Sequence, residues 1–383
     1  MTSELSFPHH NYKYAVNEGR HEFIPSSHAA GIEKPTADDV PEVGTKLRKA
    51  GVSRVMLIHG TFAGDDVLGL MRELRRVLPG AADALKTFGK RIFDQVAGDV
   101  GNYTLDFAEQ LASLINHDHE SSIPVDRFLW SGENHHIGRA GGAIRLLDQL
   151  LREYWSPKDR ILVWAHSHGG NLLALMSNLV GGDKKICEAF FKATQSHYRD
   201  PVLGQLTLPA WERVKEALAK GGVHERLPQL DVVGFGVPPR YRWNNALCAN
   251  LLHFVQHRSL DEKNPTKACL PSSIQDIASA TGGDYVQQLG IGGTDFLHSV
   301  VAFRSWNSER RLRRMLESSI RRRDLPRNLL KGHRVALDGQ TLLIDYPDEP
   351  AKWNQTLLGH GVYTRPEWLP FHLNQITDRI YSN

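Results

Sequence analysis

The sequence is poor in cysteine. Its three cysteines, Cys187, Cys248 and Cys269, are odd in number and far apart among 383 residues. That gives no disulfide framework and suits a reducing cytoplasm. Long apolar runs are missing too: none reaches the roughly 18 residues that a spanning helix needs. Met1 to His10 show no basic start followed by an apolar core, so no secretory signal is expected there. An excess of one charge sign is also lacking. Lysine and arginine number 46 against 43 aspartates and glutamates, a formal charge of +3. So small an excess does not by itself argue for nucleic acid. Regular metal-ligand spacing is absent: His9, His10, His21 and His28 are irregularly placed, and the adjacent His135 and His136 point apart in a helix or a strand. No metal and no cofactor is expected. There is no internal repeat and no low-complexity tract.

What the chain does have is enough apolar material for a core. Hydrophobic residues make up 41% and charged residues 23%, and the length fits one large α/β domain with insertions. One stretch organises it. Ile161 to Trp164 read as a fully buried strand, Ala165-His-Ser-His-Gly-Gly170 follows, and an apolar helical pattern begins at Leu172. Strand, sharp turn with a serine at its apex, and helix make a nucleophile elbow. The turn needs small residues two before and two after the serine, and Ala165 and Gly169 meet that need. It lifts the Ser167 hydroxyl clear of the sheet, beside a helix N-terminus where the His168 amide can face a developing oxyanion.

These residues resemble the α/β-hydrolases, and within them the lipase- and esterase-like members. Ala165 departs from the usual Gly-x-Ser-x-Gly, but alanine is nearly as small. The resemblance covers roughly residues 50 to 383. It implies an α/β-hydrolase fold: a mostly parallel sheet with helices on both faces and helical insertions. It also implies that the strand entering His59-Gly60-Thr61-Phe62 supplies the second oxyanion amide, from Thr61, with Phe62 the lesser candidate. The implied chain order is serine, acid, histidine. His360, between Gly359 and Gly361 in a loop after the last strand, is the fitting base. His298 and His372 compete from helical surroundings, and His253 sits in an apolar run. For the acid, Asp295 follows Tyr285–Ile291, read as the penultimate strand, while Asp261 follows the possible strand Leu251–Val255.

The rest of the chain reads as follows. Residues 1–50 form an irregular N-terminal arm that packs loosely or pairs at a sheet edge, and residues 51–383 form the hydrolase domain. Segments 66–125 and 183–283 can carry lid insertions. Helices are expected from Arg139 to Tyr154, Lys184 to His197, Leu208 to Lys220 and Pro366 to Tyr381. Leu230 to Pro239 is a buried strand that ends in a Gly/Pro turn, and Val335 to Ile344 a hairpin around Asp338-Gly339. The arginines from Arg304 to Arg323 form either a solvated outer helix or a contact for an anionic membrane surface or acidic partner. The expected activity is hydrolysis of a carboxylic ester, small-molecule or lipid, through an acyl-enzyme on Ser167. An acyltransferase with the same triad and a non-catalytic binding protein on the same body are the alternatives.

Overall fold

The computed structural model describes residues 19–61, 102–199, 208–268, 273, 275–276, 279–291, 303–316, 334–347 and 359–382. Seven strands are present among them: β1 (Arg20–Ile24), β2 (Val52–Ile58), β3 (Val125–Phe128), β4 (Arg160–His166), β5 (Gln229–Phe235), β6 (Cys248–Gln256) and β7 (Gln340–Ile344). They form one sheet in the order β1-β7-β6-β5-β4-β2-β3, and every pairing is parallel. The described helices are α1 (Val43–Lys49), α2 (Leu105–Asn116), α3 (His136–Arg152), α4 (His168–Val180), α5 (Lys184–Tyr198), α6 (Pro209–Lys220), α7 (Tyr285–Ile291), α8 (Phe303–Leu316) and α9 (Leu369–Ile380). None of them is long and apolar enough to cross a membrane.

An all-parallel sheet must be covered on both faces, and its central strands are therefore apolar throughout. In β4 the alternation of side chains divides the run cleanly. Ile161, Val163 and Ala165 join the core beneath α3, α4, α5, α6 and α8. Leu162 and Trp164 join the opposite core, with α1, α2 and α9. Trp164 is fully buried there against Phe235 and Phe107. Truncating so large a side chain typically costs about 3–5 kcal/mol.

The N-terminal arm contributes β1, which pairs at a sheet edge outside β7. Of the first insertion segment, 66–125, residues 66–101 lie outside the described residues, and α2 packs under the sheet as part of the body. Segment 183–283 contains β5 and β6, which are core strands.

Two expectations are corrected. Tyr285–Ile291 is not a strand but the helix α7. The Asp284 side chain accepts from the Gln287 amide at 2.8 Å and caps it. The adjacent, equally buried Gln287 and Gln288 also break a two-residue period. Val335–Ile344 is not a hairpin: only Gln340–Ile344 is a strand, and both its edges are taken by the parallel neighbours β1 and β6. The chain does bend at Asp338-Gly339, where Gly339 has φ 79°. The Asp338 carboxylate takes a bidentate contact from Arg242, 2.7 Å on each oxygen, and the Trp243 amide at 3.0 Å.

Candidate active site

Ser167 stands between β4 and α4 with φ 53° and ψ −130°. Only two other described non-glycine residues have positive φ, Asp118 and Ala280, so the strain is localised. Such a conformation costs on the order of 1–3 kcal/mol and is held by its surroundings. The Ser167 amide donates to Phe235 O at 2.8 Å, which ties the apex to the end of β5. A Cβ on Gly169 would lie 2.7 Å from His59 O and 2.9 Å from Ile58 O. The need for a small residue there is thus set by the end of β2. The His168 amide belongs to the first turn of α4, whose N–H groups have no acceptor within the helix.

The loop after β2 crosses the apex. A Cβ on Gly60 would sit 2.6 Å from Ser167 Cβ, and Thr61 beside it is buried. The loop is braced by His59. Its Nδ1 donates to Gly60 O at 2.8 Å, while its Nε2 accepts from the Trp130 amide at 3.2 Å. Trp130 Nε1 returns a bond to His59 O at 2.8 Å, and the two rings stack. These contacts require a neutral imidazole with its proton on Nδ1. Burial, which lowers the His59 pKa, favours the same form. Phe62 lies outside the described residues.

On the other side of the apex, His360 and Asp284 are fully buried. His360 Nδ1 donates to Asp284 Oδ2 at 2.7 Å. Asp284 lies well along the chain from β6, yet it sits at that strand's end. An antiparallel bridge between His257 and Gly283 closes the intervening excursion, and the Asp284 amide donates to Gln256 O at 3.0 Å. The His360 ring lies 4.5 Å, centroid to centroid, from that of His166, the residue before the serine. His166 Nε2 donates to His360 O at 3.2 Å. Gly236, which follows Phe235 with φ +58°, completes the enclosure: a Cβ there would lie 2.8 Å from Asp284 Oδ2 and 2.9 Å from His360 Cε1. Thr61, Ser167 and His168 therefore follow the C-terminal ends of the neighbouring strands β2 and β4, and His360, in the loop after β7, reaches the residue before Ser167, at the edge where open α/β sheets place their ligand sites.

Asp295 and His298 lie outside the described residues. Asp261 is in the excursion, where it accepts from the Lys263 amide at 3.1 Å and from Lys267 Nζ at 3.4 Å. His372 and His253 are core residues, their pKa values pushed down by burial to about 3 and about 4. Asp284 had no place among the expected site residues. Its signal was local: Asp284-Tyr-Val-Gln287 has the form of a helix N-terminus, a capping residue followed three positions later by glutamine.

In α8, Arg310, Arg311 and Arg314 are exposed, and the Arg310 guanidinium lies over the Trp306 ring at 5.5 Å. Arg321 to Arg323 lie outside the described residues. Among the described residues, no group of three or more His, Cys, Asp or Glu side chains is arranged to hold a metal ion. No family model, curated protein or solved structure matches this chain.

Proposed function

We propose that this chain is a serine hydrolase of the α/β-hydrolase type that cleaves carboxylic esters, with Ser167 as nucleophile, His360 as base and Asp284 as the orienting acid. The observation that carries the reading is the buried Asp284–His360 hydrogen bond beside a serine held at a strained strand-to-helix apex. A serine hydroxyl is a weak nucleophile and needs a base that is itself held by a carboxylate. The parts come from far along the chain, and an ordinary structural serine has no use for them.

In this mechanism Ser167 Oγ attacks the ester carbonyl carbon while its proton passes to His360 Nε2. The carbonyl π electrons move onto oxygen, and the amides of Thr61 and His168 donate to that oxyanion. When the intermediate collapses, the C–O bond to the alcohol breaks and the leaving alkoxide takes the proton from His360. Water then attacks the acyl-enzyme, giving a proton to His360, and as the second intermediate collapses the acyl C–Oγ bond breaks and His360 returns that proton to Ser167 Oγ, releasing the carboxylic acid. The Asp284 carboxylate holds the ring in place and stabilises the imidazolium.

A fluorophosphonate probe together with a chromogenic short-chain ester tests the reading. Labelling and turnover that are both lost in Ser167→Ala support it. Turnover that survives the substitution rules it out. Running the reaction with added alcohols separates hydrolysis from acyl transfer by product.

A further inference from the structure

Tyr363 lies three residues beyond His360 and is fully buried, its ring packed near Phe235, Tyr346 and His166. Its hydroxyl has two polar neighbours. The Gln256 amide, 2.7 Å away, can only donate, so it occupies a lone pair on the phenol oxygen. The hydroxyl proton is thereby directed at the other neighbour, Asp284 Oδ2, at 2.9 Å. The same carboxylate oxygen accepts from His360 Nδ1 at 2.7 Å, and Oδ1 accepts from the Gln287 amide at 2.8 Å. Donors from the His360 loop, from a 3-10 turn (Val362–Thr364) and from α7 therefore converge on one carboxyl group. Burial keeps the phenol pKa well above its ordinary value, so the hydroxyl remains a donor across the usable pH range.

We propose that Tyr363 is a positioning residue whose hydroxyl fixes the orientation and basicity of Asp284, and through Asp284 the proton affinity of the His360 imidazole. The proposal rests on the reading of Ser167, His360 and Asp284 as a hydrolytic triad, but its first test needs no turnover. A carboxylate that shares its charge with a phenol proton pulls less strongly on an imidazolium. Removing the phenol donor raises the pKa of His360. The titratable and charged neighbours to be held constant are His166 on β4, Asp284 before α7, and Arg334. Arg334 Nη1 donates to Gln256 O at 2.6 Å, behind the acid.

The experiment is an NMR titration of the His360 ring in the full chain carrying Ser167→Ala, with and without Tyr363→Phe, alongside kinetics with Ser167 intact. In Tyr363→Phe the His360 titration, and with it the acid limb of kcat/KM, should move up by roughly one pH unit. In the same variant kcat should fall about tenfold with KM nearly unchanged. Replacing Tyr363 by 3-fluorotyrosine keeps the hydroxyl and strengthens it as a donor, so the titration should move down. That replacement also serves if Tyr363→Phe does not fold. A His360 titration unmoved by either change overturns the proposal. A titration that moves in a protein with no ester turnover upholds the positioning role and overturns the hydrolase reading instead.

Discussion

Asp284 and His360 meet at 2.7 Å although 76 residues separate them in the chain. The contact joins two loops, one after β6 and one after β7, and these strands are neighbours in the sheet. It is this adjacency, rather than closeness in sequence, that makes an acid–base pair out of two loops.

The pair yields a direct comparison. Asp284→Asn should lower kcat for ester hydrolysis by about three to four orders of magnitude, the scale seen when a triad acid is neutralised. Asp261→Asn should leave kcat within about twofold, because its carboxylate is engaged with Lys263 and Lys267. Asp295→Asn belongs in the same series. A loss of the larger size on Asp295→Asn alone would return the acid to that position.

Strain at the apex can be read as stability. Ser167→Gly removes the Cβ from a backbone with φ 53° and should raise stability by about 1 kcal/mol. It should also abolish fluorophosphonate labelling. Urea unfolding at constant m-value checks the first part.

The crossing of the β2 loop over the serine is tight. Gly60→Ala places a Cβ 2.6 Å from Ser167 Cβ, so the loop must shift and carry the Thr61 amide with it. Losing one oxyanion donor typically costs a factor of about 100 to 1,000, and kcat should fall on that scale. Circular dichroism and Tm establish that the variant is folded.

Acid stability follows from buried imidazoles. The pKa of His372 is depressed to about 3 and those of His253 and His257 to about 4, each chiefly by burial. Above about pH 6.5 these rings are neutral in both folded and unfolded chains and make no difference. Below it the unfolded chain binds protons that the folded chain refuses. Stability therefore falls with pH until the folded values are reached, by up to about 1.4 kcal/mol per unit for each ring. His372→Gln keeps an acceptor for the Tyr346 hydroxyl, now 2.8 Å from His372 Nε2. It should flatten the slope between pH 6.5 and 4 in chemical denaturation.

The parts legible in the sequence were those encoded by short-range pattern. β4 showed as an unbroken apolar run because both its faces are covered, and the small residues flanking Ser167 showed because the chain crosses itself there. The place of His360 in a loop after the last strand was legible from its glycine neighbours. Asp284, the carboxylate that His360 contacts, was not, for two physical reasons. Tyr285–Ile291 has aromatic and branched residues that suit a strand, yet a side-chain cap at Asp284 decides for helix. The path from β6 to Asp284 is also long, and only the bridge at Gly283, a tertiary event, returns it to the strand end. The supposed first arm of the hairpin failed similarly: β7 found two parallel partners far away in sequence, which no local turn signal reports.

The bridge between His257 and Gly283 has an evolutionary consequence. It acts as a clasp at the neck of a bay of chain, so Asp284 is placed by the neck and not by the outline of the bay. Residues between Arg258 and Gly282 can then be lengthened, trimmed or exchanged while the neck keeps the Asp284 amide on Gln256 O. Since loop length changes closure entropy only slowly, on the proposed hydrolase reading this bay is where the chain can be rebuilt without re-siting Asp284.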